Sequence, residues 1–300
     1  MIWQYLKIIR LHIVAGGILA FTLGALIGIA NGATFNPLHF ALFYATMFFG
    51  DLSTHYSNDY FDVQRDKFSE RKTFFSGNKI LIKNPNMLPQ ARKISIALLT
   101  LSLGLAALVV IFKVAPIELL LIMMGANFLG WFYSAPPLRL GSRGLGEVSI
   151  ALAVGFAIPA AGYLSVSGHL DSWYGFFFLP FVLYAFMLAL SLEAPDIDVD
   201  RLGNKKTFGA AYGVCGVFGL ILALASAAFA MFLFFAVQIK ASAISFGFVS
   251  AFAAVPLAAG ILGVIGMQKR KSTQTFSVVC VFSLIAFNVL MIAYLLILKL

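Results

Sequence analysis

Nine uninterrupted apolar runs dominate this 300-residue chain, each about the length needed to cross roughly 30 Å of hydrocarbon as a helix. They fall at 11–30, 38–58, 94–112, 116–133, 145–166, 174–192, 208–237, 243–265 and 276–298. Membrane strands alternate and are far shorter, so runs of this kind exclude them. In lipid the backbone has no water to bond, and a helix that satisfies its own N–H and C=O groups is the remaining choice. Composition agrees. With 61% hydrophobic and 11% charged residues and a mean hydropathy of +0.95, the chain has more apolar surface than one aqueous core could enclose. The expectation is an all-α integral membrane protein with nine transmembrane helices in a single domain over 1–300.

Charge orients the bundle. Of the 21 Lys and Arg, 18 fall before the first run or in the second, fourth, sixth and eighth loops, and only Lys113, Lys240 and Lys299 fall on the other side. Positive loops stay inside, which puts the amino terminus in the cytoplasm and, after an odd number of spans, the carboxyl terminus outside. In a prokaryote the membrane would be the inner one. A formal charge of +9 therefore marks loops facing lipid headgroups rather than a nucleic-acid partner. Lys7 and Arg10 before the first run mimic a signal peptide, but the run is long and further spans follow, so cleavage is not expected. Cys215 and Cys280 sit in apolar stretches and support neither a disulfide framework nor a metal site.

Carboxylates are costly in a bilayer, so their placement carries the chemistry. Eight of the 12 acids form two clusters. The first, at the end of the second run, reads Asn58-Asp59-Tyr60-Phe61-Asp62-Val63-Gln64-Arg65-Asp66. If the helix continues, Asp59, Asp62 and Asp66 share a face, with Glu70 beyond. The second, at the end of the sixth run, reads Glu193-Ala194-Pro195-Asp196-Ile197-Asp198-Val199-Asp200. Here Glu193, Asp196 and Asp200 align and Asp198 points elsewhere. Like charges at this spacing repel unless a cation offsets them, and Mg2+, a hard ion that takes oxygen ligands, is the natural candidate. Each cluster precedes cations, including Lys67 and Lys72 after the first and Arg201, Lys205 and Lys206 after the second. Acids for a metal beside cations for an anion suit a metal–diphosphate complex. A mixed-charge helix end is usually only a solvated face, but two such ends, on the second and sixth runs, make that explanation weak.

Other motifs fail on spacing. Asp196-x-Asp198-x-Asp200 opens like a calcium loop, yet Arg201 replaces its glycine and Thr207 its closing glutamate. A phosphotransferase for CDP-alcohols would need Gly where Val63 stands. The four His residues at 12, 39, 55 and 169 are too scattered for zinc or haem.

These motifs resemble a known family. Asn58-Asp59-x-x-Asp62-x-x-x-Asp66 and Asp196-x-x-x-Asp200 are similar to the two aspartate-rich motifs of the UbiA superfamily of intramembrane prenyltransferases, and the likeness covers the whole chain. Within it, Asn58 to Asp62 followed by Thr73-Phe74-Phe75-Ser76-Gly77 resembles the 1,4-dihydroxy-2-naphthoate polyprenyltransferases of menaquinone synthesis. Tyr133-Ser134-Ala135-Pro136-Pro137-Leu138-Arg139-Leu140, then Arg143-Gly144-Leu145-Gly146-Glu147, is similar to the fourth loop of that branch and in part to chlorophyll synthase. The chain departs from the pattern at His55, where many members have Asn, at Glu193-Ala194-Pro195 before the second motif, and at Pro137, where a lysine is common.

The resemblance implies nine helices around a central cavity, with helices one to four and five to eight as a pseudo-repeat and a ninth appended. It implies Mg2+-dependent transfer of a polyprenyl group from an allylic polyprenyl diphosphate to an aromatic or quinone-precursor acceptor. Asp59, Asp62 and Asp66 would bind one ion, and Asp196 and Asp200 another. Asn58, His55, Lys67, Tyr133, Arg139, Lys205 and Lys206 would contact substrates, Arg139 standing in for the missing lysine. Tyr60, Phe61, Phe128, Trp131 and Tyr133 are aromatic faces that could shield a carbocation. Asp51, two turns before Asp59, is either protonated or paired with a basic group.

A different acceptor, chlorophyllide or geranylgeranylglyceryl phosphate, is the alternative within this chemistry. From another class, a cation-coupled transporter would place its acids near the bilayer midplane, whereas these lie at helix ends. A scaffold protein has no need of clustered acids.

Overall fold

The computed structural model describes residues 8–63, 80–240, 243–269 and 271–298, and among them every regular element is helical. Among the described residues, nine long helices follow one another: α1 (Leu11–Ala30), α2 (Pro37–Phe61), α3 (Leu88–Ile111), α4 (Ile117–Ser134), α5 (Gly146–Ser167), α6 (Ser172–Glu193), α7 (Phe208–Gln238), α8 (Phe246–Gln268) and α9 (Thr273–Ile297). A short helix (Ile80–Lys83) and a 3-10 turn (Pro85–Met87) lead into α3. After α6 come a 3-10 turn (Ala194–Asp196) and a short helix (Ile197–Leu202).

Eight described helices are long and apolar enough to cross a membrane. The ninth, α2, has the length, at 25 residues, but not the hydropathy. Asp51, His55, Asn58 and Asp59 interrupt its apolar run, and all four line an internal cavity, so their cost is not borne against lipid.

Local signals set the helix starts. Asn36 accepts from the N–H groups of Leu38 (3.0 Å) and His39 (3.2 Å), and Pro37 follows where its missing N–H costs nothing. Asp171 caps α6 through the Trp173 N–H at 2.9 Å and also accepts from the Tyr163 hydroxyl at 2.7 Å. Thr207 caps α7.

Without a hydrophobic drive between helices in lipid, close packing must hold them together, and small residues allow it. A Cβ on Gly24 of α1 would run into the Pro159 carbonyl of α5, and one on Gly162 of α5 into the Phe21 carbonyl of α1. The two backbones therefore cross in direct contact. On the far side, α6 to α9 enclose a phenylalanine core, with Phe177, Phe218, Phe232, Phe246 and Phe287 all fully or almost fully buried. Truncating one of these to Ala removes about 3–5 kcal/mol of packing. In the middle of α5 one turn widens to a π-helix at Ala153–Ala157, a form that gathers at functional sites. Ala153, Val154 and Ala157 face the cavity.

Candidate functional site

The cavity has a volume of about 380 Å3 and is walled by α1, α2, α4, α5 and α6 with the turns that follow α6. Its acidic end is built from two helix ends that are remote in sequence. α2 closes at Phe61 with Asp62 as its C-cap, the Asp62 N–H donating to the Asn58 carbonyl at 2.9 Å. Asp59 and Asp62 of the first cluster face the cavity, and the cluster beyond Val63 lies outside the described residues. α6 ends at Glu193 because Pro195 withholds a backbone donor, and the chain tightens into the 3-10 turn. Glu193, Asp196 and Asp200 line the cavity from there, while Asp198 is exposed.

Cations and hydroxyls already engage these acids. Arg10 Nη2 bonds Asp59 Oδ1 at 2.6 Å, Ser134 Oγ donates to Asp62 Oδ2 at 2.5 Å, and Lys205 Nζ pairs with Asp200 Oδ1 at 2.7 Å. Burial alone would push the Lys205 pKa down, but Asp200, with Asp62 and Glu193 behind it, outweighs that and holds it above the usual lysine value. The Tyr133 hydroxyl points at Glu193 Oε1 from 3.4 Å.

The frame around the acids is stitched across loops. Glu147, only 3% exposed, accepts the Phe208 N–H at 2.6 Å. The Lys206 N–H donates to the Ser142 carbonyl at 3.0 Å. Gly144 holds a φ of +82° against the Lys206 carbonyl, where any Cβ would meet that oxygen at 2.8 Å, so glycine is required there.

Sequence-derived candidates divide into three groups. Asn58, His55, Asp59, Asp62, Tyr133, Asp196, Asp200 and Lys205 share the cavity wall. Arg139 and Lys206 are exposed and are not in that wall. Asp66 and Lys67 lie outside the described residues. Of the five aromatics, Tyr133 alone lines the cavity. Phe61 and Trp131 pack edge to face at 5.7 Å, Tyr60 lies under the Arg92 guanidinium, and Phe128 is exposed. Sequence reasoning missed Arg10 as a site residue and Glu147 as a brace. The charge count had already put Arg10 on the acidic side, but nothing in one sequence says that α1 packs beside the end of α2.

Can these residues hold a metal ion? Among the described residues no three His, Cys, Asp or Glu side chains stand together closely enough to hold one, and Asp59 and Asp200 are paired with Arg10 and Lys205. The donor set nonetheless fits a hard cation. Every candidate ligand is an oxygen, and two of them, Asn58 Oδ1 and Glu193 Oε2, are buried acceptors with no donor. Arg10 Nε is the converse, a buried donor with no acceptor. Orphans of both kinds on one wall suit a ligand that brings both positive and negative charge.

Fold and site together define a multi-pass helical membrane protein with an acid-rimmed internal chamber. The chain belongs to the UbiA prenyltransferase family, whose model matches residues 18–296. No protein of curated function matches it by sequence. Among solved structures it is similar to a UbiA homologue from Archaeoglobus fulgidus bound to DMAPP and Mg2+, at 21% identity over 97% of this chain and 99% of that one, with a TM-score of 0.66. The same homologue has been solved with GPP and Mg2+. A UbiA homologue from Aeropyrum pernix K1, in its apo form, is 15% identical over 92% of this chain and 97% of that one, with a TM-score of 0.68. A digeranylgeranylglyceryl phosphate synthase is 19% identical over 100% of this chain and 99% of that one, with a TM-score of 0.67.

Proposed function

We propose that this protein transfers a polyprenyl group from an allylic polyprenyl diphosphate to an aromatic or quinone-precursor acceptor within the membrane, as in menaquinone-type quinone synthesis, with Mg2+ as cofactor. The observation that carries the reading is the meeting of the two aspartate clusters, with Arg10 and Lys205, on one cavity wall that holds orphaned donors and acceptors. That the A. fulgidus homologue was solved with DMAPP or GPP and Mg2+ supports it.

Asp59, Asp62 and Asp66 with Asn58 would hold one ion, and Asp196 and Asp200, with Glu193 beside them, a second. Bound Mg2+ supplies Lewis-acid stabilisation of the departing diphosphate. Lys205 and Arg10 would bind diphosphate oxygens. The bond between prenyl C1 and the bridging oxygen breaks with its electrons going to the diphosphate; the acceptor ring attacks C1, and the ring proton passes to the released diphosphate. The apolar wall of Met47, Met123, Val154, Ile158 and Leu188 keeps water from the allylic cation, and Tyr133 presents an aromatic face beside it. On this reading the acidic end faces the cytoplasm, where soluble diphosphates and Mg2+ are supplied.

Purified protein with radiolabelled geranylgeranyl diphosphate, Mg2+ and 1,4-dihydroxy-2-naphthoate should form a prenylated product, and Asp62→Ala or Asp196→Ala should abolish it. Full activity in both variants overturns the reading. Lipid extracts of cells with and without the protein separate a quinone product from an ether lipid.

A further inference from the structure

Three residues on three helices fix how deep the cavity runs. The ends of α2, α4 and α5 stand level: Ser134 donates to Asp62, and a Cβ on Gly146 would lie 3.4 Å from the Tyr133 hydroxyl. Below that level the deepest lining residue on α2 is Met47, twelve residues before Asp59. On α4 it is Met123, eleven before Ser134, and on α5 it is Ile158, twelve after Gly146. At the helical rise per residue each stands about 17–18 Å down. Beneath them the bundle is solid. Met47 and Met123 are buried in one cluster with Phe21, Phe43 and Leu119, and Ile158 packs against it. The next residue, Pro159, is where the backbones of α1 and α5 touch at Gly24.

The walls above these three residues differ. α2 and α4 carry the polar lining, Asp51, Thr54, His55, Asn58 and Asn127. Asp51 lies 3.6 Å from His55 and within electrostatic reach of Tyr44. Thr54 donates to the Gly50 carbonyl at 3.1 Å, and Asn127 to Ser102 Oγ at 3.0 Å and the Met123 carbonyl at 2.8 Å. Beyond Ser149, α5 lines the cavity with apolar side chains alone, and α6 adds Leu188 and Leu192 before Glu193. A hydrocarbon chain belongs along α5 and α6, where it desolvates no polar group.

Depth then limits length. An extended isoprenoid chain advances about 5 Å per five-carbon unit, four zigzag carbon–carbon bonds of about 1.5 Å each. With C1 level with Asp59, three units reach about 15 Å and clear the three residues, whereas four need about 20 Å. The cavity volume of about 380 Å3 also falls short of the roughly 600 Å3 that twenty carbons fill at a water-sized share of about 30 Å3 each.

Resting on the prenyltransferase reading above, we propose that Met47, Met123 and Ile158 set the length of the donor, so that the cavity takes an allylic diphosphate of at most three isoprene units in extended form. A fourth unit binds only by folding back or by pushing these side chains aside.

Binding tests this without turnover. In lipid nanodiscs with Mg2+, the probes are geranyl, farnesyl and geranylgeranyl diphosphate, of two, three and four units. The wild type should bind farnesyl diphosphate at least about fivefold more tightly than geranylgeranyl diphosphate, the low end of what forcing extra carbons into a packed core costs. Met47→Ala combined with Met123→Ala should erase or invert that preference. Ile158→Phe should shorten the limit by one unit, so that geranyl diphosphate binds better than farnesyl diphosphate. Each protein is compared with itself across donors, so a general loss of affinity cancels, and Ile158→Phe decides the matter if the double variant does not assemble. A wild type that binds farnesyl and geranylgeranyl diphosphate alike, as it would if the tail left sideways between helices, overturns the proposal. A preference that neither change moves overturns it too. Failure of the wild type to bind any of the three would bring down the prenyl-transfer reading and this limit with it, whereas binding that ignores length overturns the limit alone.

Discussion

The two acidic helix ends do the same electrostatic work in different ways. The end of α6 is self-contained: Lys205 lies five residues after Asp200, pairs with its carboxylate at 2.7 Å and donates its own N–H to the Asp200 carbonyl at 3.0 Å. The end of α2 is assembled from afar, since Asp59 takes its cation from Arg10, 49 residues away, and Asp62 its hydroxyl donor from Ser134, 72 residues away. One is a local turn that brings its own countercharge. The other exists only once α1 and α4 have packed beside α2, so damage to the bundle should reach it first.

The sharpest test of equivalence is to remove one acid from each end. If both clamp the same magnesium diphosphate, Asp62→Ala and Asp196→Ala each lower kcat by about 100- to 1000-fold, the size seen when one preorganised electrostatic group is lost. The double variant should be little worse than either alone, because groups that act as a unit are non-additive. Single-turnover assays with radiolabelled geranylgeranyl diphosphate decide it; a defect confined to one end would mean that the other is only a solvated tip. Next comes metal removal. EDTA should stop turnover and Mg2+ restore it, and turnover that persists in EDTA contradicts the role given to both ends.

That contrast also marks how far the sequence could be read. Helix positions were legible because a bilayer demands long apolar runs: the expected span 208–237 is α7 to within a residue, and 116–133 is shifted by one from α4. α3 starts earlier than expected, at Leu88, because Pro89 suits a first turn and Gln90, Arg92 and Lys93 extend it beyond the apolar run. The α6 end was legible in the same way, its acids and lysine falling within one short stretch. Arg10 was not, since pairing with Asp59 depends on which helix neighbours which, and periodicity carries no such information. Nor was the role of Glu147: its partner is a backbone N–H 61 residues on, and backbone donors leave no trace in composition. The π-turn in α5 has no signature among Ala153, Val154, Gly155, Phe156 and Ala157 beyond their small average size.

Stability gives a smaller but cleaner difference between the ends. Arg10→Ala leaves Asp59, 8% exposed, without its cation, and should cost about 1–3 kcal/mol. Lys205→Ala strands Asp200, 6% exposed, in the same way, and should fall at the lower end of that range because Lys205 is 33% exposed where Arg10 is 23%. Thermal unfolding of metal-free protein in nanodiscs measures both. In a double-mutant cycle Asp59→Ala should recover most of the Arg10→Ala loss. Equal costs at the two ends would mean that the greater exposure of Lys205 screens its pair no further than that of Arg10.

The smallest effect concerns pH. Lys205 is raised above its ordinary value by Asp200, Asp62 and Glu193 despite its burial. A lysine whose folded pKa lies above the unfolded value of about 10.4 adds stability that is complete below that pH and is lost as pH climbs through the folded value. In EDTA, the stability difference between wild type and Lys205→Met should therefore stay constant from about pH 7 to 9.5. It should then shrink above about pH 10.4, as wild type sheds the proton that the variant never had. Parallel alkaline curves for wild type and Lys205→Met would show that the local countercharge at the end of α6 is not felt by the folded chain.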